Sequence, residues 1–271
     1  MRTFLAAAVL LLFPGQTAPR YEVYAVSYGI IPGFPVRALV AGADSTRTLD
    51  IEMMVWLLRG AVGRNVLVDA GFYRDKFFKN WTVRDYLKPS DAVARAGVKP
   101  EDVTDLIITH AHWDHLDGAD LFPKARVWIQ REEYEYYSDP AHLANSGVDA
   151  DDMAALERIK AEGRLRLVEG NEREIIPGIT VYTGGRHTRA SQFLTVATAS
   201  GTVVVASDNA YLYENLDQRR PIAQTWDSVS NLAAQARMKQ LASNPRLIVP
   251  GHDPLVLVRF PKPGLGVARI E

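Results

Sequence analysis

The sequence predicts an α/β fold in which two β-sheets pack face to face with helices on their outer sides. Three observations lead there. From Tyr21 onward, short runs rich in Val and Ile alternate with helical patterns; strand candidates outnumber helix candidates without the one-for-one order of a regular barrel; and no Ser/Gly-rich linker, repeat or charge block marks off a second domain. The first strands are expected at Tyr21–Tyr28, Ile51–Leu58 and Asn65–Val68, each an apolar run of strand length. A helical pattern follows over Thr82–Ala96, then strands at Asp105–Thr109 and Arg126–Gln130, built around Leu-Ile-Ile and Val-Trp-Ile. Helices are expected at Arg131–Tyr137 and Asp151–Glu162, the latter with Met153, Leu156 and Ile159 at helical spacing. Strands then run over Arg164–Val168, Ile179–Thr183, Phe193–Ala197 and Thr202–Ala206, before a helix at Ser228–Ser243 and a strand at Arg246–Val249.

Composition sets the outer limits. The chain has 271 residues, 47% hydrophobic and 23% charged, which excludes collagen-like and disordered classes and leaves enough apolar material for a sizeable core. With 31 Lys+Arg against 32 Asp+Glu, the net charge of -1 gives no global field to hold a polyanion, so nucleic acid is not an expected partner. Cysteine is absent, which removes disulfides, thiolate metal sites and thiol nucleophiles together; any metal must sit on His and carboxylate.

At the N-terminus, Arg2 precedes an apolar run from Phe4 to Phe13, then Pro14, Gly15 and small residues. Residues 1–18 resemble a secretory signal peptide, with residues 19–271 as a single domain exported to the periplasm or beyond, so that protein recovered from its host would begin near Pro19. The alternative is a buried N-terminal strand or helix. A run of about ten residues is too short to cross a bilayer, so no stable membrane anchor is expected.

The most informative segment is Leu106-Ile-Ile-Thr-His110-Ala-His112-Trp-Asp114-His115, where three His and an Asp crowd together directly after an apolar strand. Chance would place them so in roughly two of ten thousand such chains. Imidazoles at i and i+2 can bind one ion where the chain leaves the strand, and the Asp-His pair just beyond can turn to a second, so the spacing suggests two metals. Further ligands are sought by the same rule, a His or Asp just past a buried strand. The strand Ile179–Thr183 leads to His187, Thr202–Ala206 to Asp208, and Arg246–Val249 to His252. Several such strand ends argue for one shared edge site, with Asp208 as its bridge.

Each has an ordinary reading as a solvated loop or turn residue, which the His110–His115 cluster and its unmet coordination outweigh. His142 sits in a polar stretch with no strand feeding it and is not expected to bind. Asp117 and Asp120 are expected to be solvated or capping. Asp69, ending Val66-Leu-Val-Asp, is either a carboxylate that orients a ligand His or a turn residue. The aromatic stretch Phe72, Tyr73, Phe77, Phe78 and Trp81 either walls an acyl-chain pocket or is core or interface, a homodimer being the assembly left open.

On these residues the chain resembles the metallo-β-lactamase superfamily, whose motif is His-x-His-x-Asp-His followed by a distant His, a bridging Asp and a last His. The resemblance implies an αβ/βα four-layer sandwich with a dinuclear centre at one edge, in which His110, His112 and His187 hold the first ion, Asp114, His115 and His252 the second, and Asp208 bridges them. Zinc is the expected metal. The segments His112-Trp-Asp-His-Leu-Asp-Gly, Leu121-Phe-Pro-Lys-Ala and Trp128-Ile-Gln-Arg-Glu-Glu-Tyr are most similar to the N-acyl homoserine lactonases, as is Tyr211, three residues past Asp208, where those enzymes carry an active-site Tyr. One departure stands out: around His187 the chain reads Gly-Gly-Arg-His-Thr-Arg-Ala-Ser-Gln instead of the usual His-Thr-Pro-Gly-His.

The implied function is quorum-quenching hydrolysis of a small lactone. Two divalent ions would turn water into a nucleophile near neutral pH, Tyr211 would stabilise the oxyanion, and Asp114 would protonate the departing alkoxide. The competing readings are a thioesterase, β-lactamase or phosphodiesterase on the same site, and a binding protein with a disabled site. The bridging Asp208 argues against a β-lactamase, Tyr211 against a thioesterase, and the charge balance against an RNA phosphodiesterase.

Overall fold

The computed structural model describes residues 20–61 and 63–271, so the expected signal peptide lies outside the described residues. In chain order the strands are β1 (Glu22–Pro35), β2 (Thr48–Arg59), β3 (Asn65–Val68), β4 (Asp105–Ile107), β5 (Arg126–Gln130), β6 (Leu165–Val168), β7 (Arg173–Ile176), β8 (Ile179–Thr183), β9 (Gln192–Thr198), β10 (Gly201–Ser207), β11 (Ile248–Pro250) and β12 (Val267–Ile270). The helices are α1 (Asp75–Phe78), α2 (Pro89–Arg95), α3 (Trp113–Leu116), α4 (Arg131–Tyr137), α5 (Ala150–Ala161), α6 (Tyr213–Asp217), α7 (Ser228–Leu241) and α8 (Val256–Arg259). A seven-stranded sheet has the order β12-β1-β2-β3-β4-β5-β6 and a five-stranded sheet the order β11-β10-β9-β8-β7. The first is antiparallel from β12 to β3 and parallel from β3 to β6. The second is antiparallel except for its β10–β11 pair.

Why two sheets and outer helices form is visible in β2. Successive side chains on a strand point to opposite faces. Ile51, Met53, Val55 and Leu57 enter one apolar cluster, while Met54, Trp56 and Leu58 enter the other. The first cluster lies under the helices of the larger sheet, with Val93 of α2 and Leu156 of α5. The second joins that sheet to the smaller one, through residues such as Phe193, Val203 and Val205, and reaches Met238 of α7. A strand apolar on both faces needs cover on both, which a four-layer αβ/βα sandwich provides.

Several expected elements change. The helix expected over Thr82–Ala96 begins only at Pro89. Residues preceding it are not helical: Arg84 bridges to Ile30, Asp85 is left-handed (φ 52), and Lys88 lies at φ -52, ψ 135, because a residue before proline is pushed out of the helical region. The strand expected over Arg246–Val249 opens instead as a 3-10 turn at Pro245–Leu247, and pairs only over Ile248–Pro250. β7 and β12 were not expected. Arg-Glu-Ile-Ile and Val-Ala-Arg-Ile are short, charged sequences at sheet edges, where apolar patterning weakens.

Candidate metal centre

The two sheets present their strand ends at one edge, and the polar residues beyond those ends converge there. His110 and His112 follow β4, and α3 then carries Asp114 and His115; His187 follows β8, Asp208 follows β10, and His252 follows β11. Three non-glycine residues adopt left-handed backbone around the site, Asp69 (φ 61) just past β3, Arg186 (φ 54) before His187 and Ser207 (φ 47) at the end of β10. Such conformations persist where surrounding structure over-determines them, and here each turns the chain into the site. At Gly185 a Cβ would stand 2.3 Å from the Cα of Asn231 on α7, so only glycine lets the His187 loop lie this close to that helix.

The donors fall into two groups, His110, His112, His187 and Asp208 in one and Asp114, His115 and His252 in the other, with ligand atoms within 4.8 Å of one another in each. In the first, His112 Nδ1 is 3.2 Å from His110 Nε2 and 2.9 Å from His187 Nε2. Asp208 Oδ2 is 3.6 and 3.4 Å from those two Nε2 atoms. The same carboxylate faces the second group, with Oδ2 3.4 Å from His115 Nε2 and Oδ1 3.1 Å from His252 Nε2. Asp114 Oδ2 completes it at 3.5 and 3.7 Å from His115 and His252. A tetrahedral shell of donors about 2.0–2.1 Å from an ion spaces them about 3.3 Å apart, so both groups have the dimensions of a metal shell. His115 Nε2 and Asp208 Oδ1 are also buried without a hydrogen-bond partner, a costly arrangement unless something else satisfies them.

Each imidazole is oriented from behind. His110 Nδ1 lies 3.0 Å from Thr109 Oγ1, His112 Nε2 donates to Ser146 O at 2.9 Å, His187 Nδ1 to Gln224 O at 2.7 Å and His252 Nδ1 to Glu52 O at 3.0 Å. His115 Nδ1 donates to Asp69 Oδ2 at 2.8 Å. Asp69 also takes the Thr109 N–H at 2.8 Å and the hydroxyls of Thr109 and Ser207. These bonds set the tautomers so that the remaining nitrogen of every ring points inward. The turn alternative for Asp69 and its orienting role coincide.

A sequence profile described as the metallo-beta-lactamase superfamily matches residues 54–252. The chain belongs to the metallo-beta-lactamase superfamily. Among its relatives in that superfamily, an N-acyl homoserine lactonase of Bacillus cereus is 32% identical over 221 residues, covering 76% of this chain and 82% of that one. Another from a Bacillus species is 28% identical over 220 residues, with the same coverage. Solved structures share the fold: a quorum-quenching N-acyl homoserine lactone lactonase superposes at TM-score 0.72 with 21% identity, covering 88% of this chain and 94% of that one. An N-acyl homoserine lactone hydrolase with N-hexanoyl-L-homoserine bound at its catalytic metal center superposes at TM-score 0.72 with 20% identity, covering 90% and 98%. Family membership makes the protein a metal-dependent hydrolase, and its His/Asp groups are compatible with a dimetal centre.

The electrostatics of this superfamily site follow from burial against mutual neighbours. Burial first, and then neighbouring imidazoles, hold His110 and His112 well below the ordinary imidazole range, which keeps their lone pairs available. Burial opposes charge on His115 and His252 too, yet the Asp208 and Asp114 carboxylates outweigh it and raise both. For Asp208, burial is outweighed by His115 and His252, which hold it well below the usual carboxylate range. Tyr211 is raised by burial and by Asp208 and Asp114, so its phenol stays protonated.

All seven expected ligands and Tyr211 are thus brought together; the Tyr211 hydroxyl is 3.5 Å from the His187 ring nitrogens. His142 stands apart, stacked on Tyr136 with ring centroids 3.8 Å apart and bonded to the Tyr136 carbonyl. Asp117 is not solvated: its side chain is 0% exposed, accepts the Tyr73 and Arg74 N–H groups at 2.6 and 3.0 Å, and pairs with the Arg74 guanidinium, while Asp120 meets Arg74 at the surface. The aromatic stretch divides. Phe72 and Phe77 are core, whereas Trp81 lines the cleft over the metal groups. Sequence reasoning missed the carbonyls of Ser146, Gln224 and Glu52, since a backbone acceptor has no residue signature. It also missed Glu133, which did carry one: a charge four residues before Tyr137, on the inward face of α4.

Proposed function

We propose that the protein hydrolyses lactones of the N-acyl homoserine type, opening the ring to a hydroxy acid. The observation that carries this reading is a cleft of about 210 Å³ over both metal groups, with Tyr211 and Asp114 beside the donors and Phe34, Ile51, Met53, Trp81 and Trp113 as an apolar wall. A polar floor suits the ring ester, and the wall suits an acyl chain. The lactonase names of the Bacillus relatives support the same substrate class.

Two divalent ions, read here as zinc among the several metals that His and carboxylate donors serve, would supply Lewis acidity and a water acidic enough to attack near neutral pH. The chain's own residues do the rest. Tyr211, protonated and 4% exposed, donates to the carbonyl oxygen as negative charge develops on it. Asp114, whose side chain is 14% exposed at the cleft, would take the proton that the attacking water releases and return it to the departing alkoxide. His110, His112 and His187, oriented from behind, would hold one ion through the ring nitrogens that face inward.

The test is elemental analysis of purified protein together with kinetics on a matched panel of lactones, thioesters and β-lactams. About two metals per chain and a higher kcat/KM for acyl homoserine lactones are expected. Efficient hydrolysis of a thioester or β-lactam with every lactone left intact would overturn the reading.

A further inference from the structure

We propose that Glu133 is a positioning residue for the three-imidazole group, a buried carboxylate that holds two ligand-bearing loops in register before any metal arrives. The proposal rests on reading His110, His112 and His187 as ligands of one ion. Glu133 lies on α4 and is 0% exposed. A carboxyl so placed needs partners, and its two oxygens take theirs from different loops. Oε1 accepts the N–H of Ala111, between His110 and His112, at 2.9 Å. Oε2 accepts the N–H of Ala190, three residues after His187, at 2.6 Å. One side chain therefore spans the loop leaving β4 in the larger sheet and the loop leaving β8 in the smaller one. Among the described residues neither N–H has another acceptor.

The consequence is selective. An ion that draws imidazoles from two loops loses affinity to whatever ordering those loops still require on binding. Glu133 imposes that order at folding, so the first group is preorganised. Asp114, His115 and His252 receive no bond from Glu133, and their group has its own support in Asp69. A second tie between α4 and the same loop, Glu132 to Arg189 at 2.7 Å, is at the surface and provides an internal control.

The experiment titrates zinc into metal-free protein against a competing chelator. In Glu133→Gln the amide keeps one acceptor oxygen and turns an NH2 toward the other backbone N–H, which releases one loop. One of the two zinc equivalents should then weaken by about 10–100-fold, the usual effect of losing a group that orients ligands, while the other is unchanged. Glu132→Gln should bind both as the wild type does. A measurement on the metal-free wild-type protein stands independently of any variant: the Ala111 and Ala190 amides should already be protected from hydrogen exchange. Free exchange there, unchanged binding of both equivalents by Glu133→Gln, or equal weakening of both with a lowered melting temperature would each overturn the proposal. Failure of the wild type to take up two ions would instead overturn the ligand reading, and this inference with it.

Discussion

In the proposed reaction Tyr211 and the metal ligands have different parts, and single substitutions should separate them. Tyr211→Phe removes a hydroxyl that no ligand imidazole depends on for its orientation, since His187 is held by the Gln224 carbonyl at 2.7 Å. Metal content should therefore be unchanged while kcat/KM for a lactone falls by about ten- to a thousandfold, the range for one lost oxyanion donor. Asp208→Ala takes away the carboxylate that faces both groups, so elemental analysis should drop below two metals per chain and activity should fall further than in the Tyr211 variant. Equal damage from the two substitutions would count against the division of labour.

A polar clasp ties α3, which lines the cleft with Trp113 and Asp114, to α1 and α5 behind it. Arg74, which precedes α1, pairs with Asp117 beyond α3 and with Asp152 of α5 at 2.9 Å, and Lys76 of α1 pairs with Asp149 and Asp151. Burial, followed by the neighbouring Asp117 carboxylate, lifts Asp152 to about 9 against the pull of Arg74. The folded protein then keeps a proton that the unfolded chain, with its ordinary value of 3.8, has released. The sign follows: this group's stabilisation is complete at acid pH and declines as pH rises through the window from about 4 to about 9, by at most about 1.4 kcal/mol per pH unit. Asp152→Asn mimics the protonated form, so its melting temperature should decline less than the wild type's between neutral pH and about 9. Parallel melting curves for the two proteins would show that Asp152 is ionised in the fold. The clasp has a tight backbone counterpart at Gly118, where a Cβ would stand 2.2 Å from the Ala70 carbonyl oxygen.

At the scale of the molecule, the site is a seam. His110, His112, Asp114 and His115 belong to the larger sheet and His187, Asp208 and His252 to the smaller, so ions bound there would clamp the two together. A ligand that binds only the folded state adds RT ln(1 + [L]/Kd), about 4 kcal/mol at a free concentration a thousandfold above Kd. Chelation should lower the melting temperature of the wild type by an amount that grows with the free metal it replaces, and should affect Asp208→Ala much less. Scanning calorimetry with and without chelator tests this; a wild-type melting temperature indifferent to metal would count against a clamp.

The sequence by itself determined the chemistry and the class of fold. The His110–His115 cluster needed no tertiary information because its spacing is local, and β3, β5, β8 and α4 were legible residue for residue because each is a single uninterrupted pattern. His187, Asp208 and His252 were readable because each follows a buried strand closely enough for the strand to announce it. What only the tertiary structure decided depends on neighbours distant along the chain. Pro89 starts α2 where periodicity had continued the helix back to Thr82, and β7 and β12 owe their pairing to the sheets they border. Asp117 reads as one more surface acid until Arg74 is seen against it, and Glu133 as one more helix charge until the Ala111 and Ala190 N–H groups are placed. A residue's own chemistry is written in the sequence, whereas burial and hydrogen-bond partnership belong to pairs of residues, and only folding brings those pairs together.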